Sequence, residues 1–171
     1  MTDLRRWASI VAALTLVFLA GCGGGENVTE QSLRDARQRW ERSGIRDYTL
    51  EWTNSGPGRP KYHVEVREGA VRSVQFMLPD GTLRETNTHE PKYFGVEGLF
   101  LTIAEELAQL RTDAPFNQQK GASVVMRFTP DPKYGFPQSY RRDVAGSLKA
   151  MSFDVTRFEA HASSKQAGPT P

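Results

Sequence analysis

Between Thr29 and Glu159 the chain switches repeatedly between two spacings of apolar residues. Leu33, Ala36 and Trp40 recur at helical spacing, opened by Ser32-Leu33-Arg34-Asp35 and closed by Ser43-Gly44, which predicts a short, charged surface helix with one apolar stripe. From Asp47 to Thr53 the spacing changes to two: Tyr48, Leu50 and Trp52 alternate with Thr49, Glu51 and Thr53, the pattern of a half-buried strand. Tyr62, Val64 and Val66 alternate in the same way with His63, Glu65 and Arg67, and beyond Glu68-Gly69 a further face is formed by Val74, Phe76 and Leu78. Tight, glycine-containing connections between alternating runs predict a three-stranded antiparallel meander over residues 47–78, ended by Pro79-Asp80-Gly81.

The strongest periodicity follows. Val96, Leu99, Phe100, Ile103, Leu107 and Leu110 lie at i, i+3, i+4, i+7, i+11 and i+14, which predicts an amphipathic helix docked on the sheet. Val124, Met126 and Phe128 predict another strand, Phe136 to Val144 a second, and Met151, Phe153 and Val155 a last one ending near Phe158. Runs of strands separated by helices predict an α+β fold: a mainly antiparallel sheet of about six strands with two helices packed on it, in the order α-βββ-α-βββ. The folded domain is expected over residues 31–159.

The N-terminus follows neither pattern. Arg5 and Arg6 precede Trp7 to Ala20, fourteen uncharged residues that are polar only at Ser9 and Thr15. As a helix this run would span roughly 21 Å, short of a hydrocarbon core of about 30 Å, and a basic start, a short apolar stretch and small residues at its end are the layout of an export signal. The only cysteine of the chain comes next, in Leu19-Ala20-Gly21-Cys22. An exported chain with a single thiol has no disulfide partner for it within itself. Leu19-Ala20-Gly21-Cys22 resembles the lipobox of bacterial lipoproteins. That resemblance implies removal of residues 1–21, a diacylglyceryl group on the Cys22 thiol, and a fatty acyl group such as palmitate on the freed amine. Together these chains would hold a protein on a membrane where one would be marginal. Residues 22–30 then become a flexible tether and residues 160–171, AHASSKQAGPTP, a disordered tail. Gly23 rather than Asp follows Cys22, which implies outer-membrane sorting if the envelope is Gram-negative.

Charge changes the picture little. The precursor carries a net +2, with charged residues making up 25% and both signs interspersed. Once residues 1–21 are removed, Arg141-Arg142 is the longest basic cluster and has Asp143 beside it, which is no nucleic-acid footprint. His63 falls on the polar side of a strand, His89 in a loop before Pro91 and His161 in the tail, a spacing that supplies no metal site. Glu105-Glu106 is expected on a solvated helix face, and Asp80, Glu85 and Glu90 flank a loop. No strained G-x-S-x-G turn and no nucleophile-base pair stands out. No catalytic residue, cofactor-binding residue or metal ligand is therefore assigned, no cofactor is expected, and the one site residue is the lipid-attachment residue Cys22. In Asp131-Pro132-Lys133-Tyr134-Gly135-Phe136-Pro137, two prolines and a glycine predict a compact turn whose aromatics either cap the core or anchor a partner.

Three stretches together carry a second resemblance. They are Trp40 with Gly44-Ile45-Arg46-Asp47-Tyr48-Thr49, then Val96-Glu97-Gly98-Leu99-Phe100 with Ile103-Ala104-Glu105, then Asp131 to Pro137 followed by Asp143. In order and spacing they resemble the exported bacterial family known as domain of unknown function 6174. Many members carry paired cysteines in an early strand, where this chain has Glu51-Trp52-Thr53. The resemblance implies an exported α+β domain and no catalytic residue.

The resulting expectation is a membrane-anchored lipoprotein of the cell envelope, bound to lipid through acylated Cys22, that works as a non-enzymatic binding or assembly module on an envelope protein partner. An envelope hydrolase with a dispersed site, or a small enzyme inhibitor presenting Asp131 to Pro137, is the alternative. The intact mass of membrane-extracted protein is expected to lack Met1 to Gly21 and to carry added acyl chains. Cys22→Ser is expected to abolish both the added mass and membrane attachment; an unchanged mass and attachment would rule lipidation out.

Overall fold

The computed structural model describes residues 25–55, 58–118, 121, 123–147 and 150–162. Cys22, the expected leader and most of the expected tail lie outside the described residues.

Helix α1 (Glu30–Ser43) is capped by Thr29, three residues earlier than Ser32. The Thr29 hydroxyl accepts from the Ser32 backbone N–H at 3.0 Å, and the Ser32 hydroxyl accepts from the Thr29 N–H at 3.0 Å, a closed capping box. Gly44 ends the helix at φ 65, a left-handed position that glycine adopts without a Cβ clash. Its buried stripe is Leu33, Ala36 and Trp40, as the spacing predicts. Helix α2 (Val96–Gln109) buries Val96, Gly98, Leu99, Phe100 and Ile103. The two helices are antiparallel neighbours: Trp40 near the end of α1 bonds Glu97 at the start of α2, while Glu30 at the start of α1 pairs with Arg111 just beyond α2.

The strands are β1 (Glu26–Asn27), β2 (Tyr48–Asn54), β3 (Lys61–Arg67), β4 (Ala70–Met77), β5 (Leu83–Glu85), β6 (Val124–Pro130), β7 (Pro137–Val144) and β8 (Met151–Ala160). They form one sheet in the order β1-β6-β7-β8-β2-β3-β4-β5, with every pair antiparallel. The class is α+β as expected, but the sheet has eight strands rather than about six. The two additional strands, β1 and β5, are two and three residues long, too short to show alternation. Their presence changes the chain order to β-α-ββββ-α-βββ.

The domain also reaches further at both ends than residues 31–159. Glu26 and Asn27, expected in the tether, pair with Phe128 and Arg127, and Val28 is buried behind them. At the other end Ala160 completes β8, and the His161 N–H donates to the Asp47 carbonyl at 2.8 Å. Composition marks these residues as polar linkers, but their backbones are claimed by free strand edges.

Tyr48, Leu50 and Trp52 of β2 and Tyr62, Val64 and Val66 of β3 turn toward the helices and join one core with Phe128, Tyr140 and Phe153. Rings touch from strand to strand across this layer: Phe76 to Tyr62 at 5.1 Å, Tyr62 to Trp52 at 4.6 Å, Trp52 to Phe153 at 6.1 Å and Phe153 to Tyr140 at 5.5 Å. In β8 the apolar residues break step, since Val155 and Phe158 cannot share a face at a period of two. The pairing shifts between Glu51 and Trp52, leaving Thr156 as the extra residue, and this bulge returns Phe158 to the core beside Trp40 and Tyr48. No described helix is long and apolar enough to cross a membrane.

Gly98 lies where the short turn Pro91–Tyr93 crosses α2, and an added Cβ would overlap the Lys92 carbonyl oxygen and the Tyr93 backbone. Backbone cannot give way as a flexible side chain can. Gly98→Ala is therefore expected to cost about 3 kcal/mol or more in urea unfolding, against about 1 kcal/mol for Gly44→Ala, where φ is positive but no atom lies within 4 Å. Equal losses would show that the crossing is loose.

Candidate functional site

The three motif stretches meet at one end of the helix layer. The Tyr48 hydroxyl, fully buried, accepts from the Val96 N–H at 2.9 Å and donates to Glu97 Oε2 at 2.9 Å. Trp40 Nε1 donates to Glu97 Oε1 at 3.1 Å. Glu97 stands in the first turn of α2, where the unpaired N–H groups favour a carboxylate. Burial and the neighbouring Glu97 charge push the Tyr48 phenol far above its usual range, so it remains a hydroxyl donor. Asp47 and Arg46 hold the β3–β4 turn: Glu68 N–H donates to Asp47 Oδ1 at 2.7 Å, and the Arg46 guanidinium donates to the Glu68 carbonyl at 2.6 Å.

The Asp131–Pro137 loop joins the same junction. Asp131 Oδ1 accepts from the backbone N–H groups of Lys133 and Tyr134, and Phe136 stacks on Phe158 at 4.6 Å with its other neighbour Trp40 edge-on at 6.3 Å. Gly135, at φ 83, lets the loop lie against α1, where a Cβ would come within 2.5 Å of the Ala36 carbonyl oxygen. Both aromatics face inward on Phe158, so the loop caps the core. The motif residues thus build an architectural joint.

Chemistry-bearing groups gather instead on the opposite face of the sheet. Glu51 lies there in mid-strand, only 6% exposed. Its Oε2 is 2.8 Å from Lys61 Nζ; its Oε1 is 3.5 Å from His63 Nδ1 and 3.7 Å from the Arg157 guanidinium. Burial alone would raise its pKa, but Lys61 and His63 outweigh that and hold it below the usual carboxylate value. On the same face the Thr49 hydroxyl and His161 Nε2 lie 2.8 Å apart. His63 and His161, unrelated in sequence, therefore both interact with side chains of β2, while His89 stays in an exposed loop. Among the described residues no three His, Cys, Asp or Glu side chains are grouped to hold a metal ion.

Helix α2 corrects one expectation. Glu105 is exposed and accepts from the Tyr93 hydroxyl, but Glu106 is turned inward rather than solvated. Glu106 accepts from the Tyr140 hydroxyl at 2.5 Å and from Arg142 at 2.7 Å, with side chains 14% and 11% exposed for Glu106 and Arg142. Burial raises its pKa more than Tyr140 and Arg142 lower it. Arg142 also lies over the Phe116 ring at 4.1 Å. The other flagged carboxylates serve turns and surface pairs: Asp80 accepts from the Thr82 N–H, Glu85 from Gln75, and Glu90 pairs with Lys92.

Two surface grooves among the described residues combine apolar floors with basic rims. One, of about 310 Å³, runs between α1 and α2 over Leu33, Ala104, Leu107 and Ala108, with Arg34, Arg37 and Arg111 at its rim. The other, of about 610 Å³, lies at the β4–β5 edge, where Phe76, Met77, Leu78 and Pro79 sit beside Arg59, Lys61 and Arg84. Phe76 and nearby Leu83 are 38% and 39% exposed, among the largest exposed apolar side chains described. Lys61 links this groove to Glu51.

The two inward carboxylates titrate with opposite sign. The Glu51 value is lower folded than unfolded, so its contribution is in place above the ordinary carboxylate range and is lost as the pH falls to the depressed value. Glu51→Gln is expected to cost about 1–2 kcal/mol at neutral pH, shrinking below about pH 4. The Glu106 value is higher folded than unfolded, so wild type gains on Glu106→Gln as the pH falls through the raised value toward the ordinary one. Urea unfolding of the three proteins from pH 3 to pH 7 (about the range that spans carboxylate titration) checks both slopes; parallel curves would refute them.

No curated protein matches the chain. The model of a family described as a family of unknown function (DUF6174) matches residues 32–145, more than half of the chain, and this stretch runs from the first turn of α1 to the end of β7. The chain belongs to that family.

Proposed function

We propose that this protein is a lipid-anchored component of the bacterial cell envelope, held by acylated Cys22, whose domain is a non-enzymatic binding or assembly module for another envelope protein. In a Gram-negative envelope, Gly23 at the position after Cys22 favours the outer membrane. Residues 1–21 are the leader, and the tether is shortened by the pairing of Glu26 and Asn27.

The observation that carries the binding reading is the β4–β5 groove. The aromatic row across the sheet ends at this edge in Phe76, which packs on Tyr62 and is left half-open. Apolar side chains beside Arg59, Lys61 and Arg84 fit a partner segment that combines apolar and acidic residues. The short β5 at the rim leaves a free strand edge beside the groove.

A second reading, an envelope hydrolase, draws on the His63–Glu51 contact, since a carboxylate beside Nδ1 is how an imidazole base is oriented. An inhibitor role would fall to Pro132 and Lys133, the exposed residues of the Asp131–Pro137 loop.

A photo-crosslinker at Leu83, introduced into the native membrane-bound protein, is expected to capture one envelope protein. Capture should fall at least several-fold in Arg84→Glu and stay unchanged in His63→Gln. Absence of any adduct, together with hydrolysis of an ester or peptide substrate panel that is lost in His63→Gln, would favour the enzyme over the binding module.

A further inference from the structure

We infer that the groove between α1 and α2 docks on the headgroups of an anionic phospholipid bilayer and fixes the orientation of the domain on the membrane. This inference rests on the lipid-anchored reading of Cys22. The first observation is reach. Only three residue steps separate Cys22 from Gly25, the first described residue, and eight separate it from Glu30, the first residue of α1. A fully extended chain advances at most about 3.6 Å per residue, so Gly25 lies within about 11 Å of an acylated Cys22 and Glu30 within about 29 Å. The bilayer surface is therefore confined to the β1 edge and the start of α1.

The second observation is charge. The groove wall at that start carries three guanidinium groups, Arg34, Arg37 and Arg111, against one carboxylate, Glu30. Glu30 pairs with both Arg34 and Arg111, so one anion is shared between two cations, and the wall keeps a surplus of positive charge. Arg34 and Arg111, although paired with Glu30, are 56% and 71% exposed and so can also reach phosphates at a membrane surface. Leu33, Leu107 and two alanines form an apolar floor between them, matched to the boundary between headgroup and acyl chain.

The third observation is position. The β4–β5 groove is at the opposite edge of the sheet from β1, seven strand spacings away in an eight-stranded sheet. At about 4.8 Å per spacing that is roughly 34 Å. The tether enters at the β1 edge, so the β4–β5 edge is the part of the sheet furthest from the point of anchoring and is left accessible to a partner.

The test uses the acylated protein, extracted and reconstituted into vesicles of phosphatidylcholine alone or of phosphatidylcholine with phosphatidylglycerol. The Cys22 thiol is consumed by the lipid, so Ala108→Cys accepts an environment-sensitive fluorophore at the groove and Leu83→Cys accepts it at the far edge. The Ala108 probe is expected to shift to the blue only with phosphatidylglycerol, and to return to its aqueous spectrum at high salt. The shift should be lost in the triple variant Arg34→Gln, Arg37→Gln, Arg111→Gln and kept in the corresponding triple Lys variant, which preserves charge. The Leu83 probe should stay aqueous throughout. An Ala108 spectrum identical in both vesicles, or a shift retained in the Gln variant, would overturn the docking while leaving the anchor intact. A mass showing Cys22 without acyl chains would overturn the anchor, and the docking with it.

Discussion

One buried hydroxyl holds the helix layer to the sheet. Tyr48 leaves β2 beneath both helices, accepts the first N–H of α2 from Val96 and donates to Glu97, whose other oxygen takes the Trp40 indole. These three bonds close a network over two helices and a strand, and each member satisfies a group that would otherwise be buried without a partner. Such a group costs more when orphaned than the bond gains when made. The network fixes where α2 starts, and through Gly98 how closely the preceding turn may approach. It also sets the angle at which α1 presents Trp40 to Phe136 and Phe158. The three stretches singled out in the sequence supply the parts of this joint, although they lie far apart in the chain.

Elements with internal periodicity were legible in the sequence. The stripe from Val96 to Leu110 and the alternations of Tyr48-Leu50-Trp52 and Tyr62-Val64-Val66 placed α2, β2 and β3 to within about two residues, although Leu110 itself lies just past α2 and is exposed. What escaped has its cause outside the local pattern. β1 and β5 exist because neighbouring edges offer free backbone groups, and nothing in Glu26-Asn27 or Leu83-Arg84-Glu85 marks them as strands. The step at Thr156 is visible as a change of parity between Val155 and Phe158, yet only the register with Glu51 and Trp52 makes it a bulge.

The inward carboxylates show the same division. Glu51 was readable in part: once the β2–β3 hairpin is drawn, His63 faces it directly and Lys61 lies one pleat away. Arg157 comes from the far end of the chain and leaves no local trace. Glu106 sits one residue from Leu107 at the border of the apolar stripe, where a small rotation decides between water and Tyr140. Its partners, on β7, are likewise distant in sequence. Charge patterning alone assigns both residues to solvent, because it counts neighbours along the chain rather than across the sheet.

The placement of β8 has a consequence for the order in which the molecule can form. The strand made last is not at an edge: it lies between β7 and β2, and Tyr48 pairs with Ala160 across most of the domain. Until β8 is in place, β2 to β5 and the β1-β6-β7 group are two separate sheets, each with an unpaired inner edge. A chain threaded or synthesised from its N-terminus therefore keeps its two halves apart until nearly all of it is available. Closing the sheet requires long-range pairing, whose loop entropy slows folding.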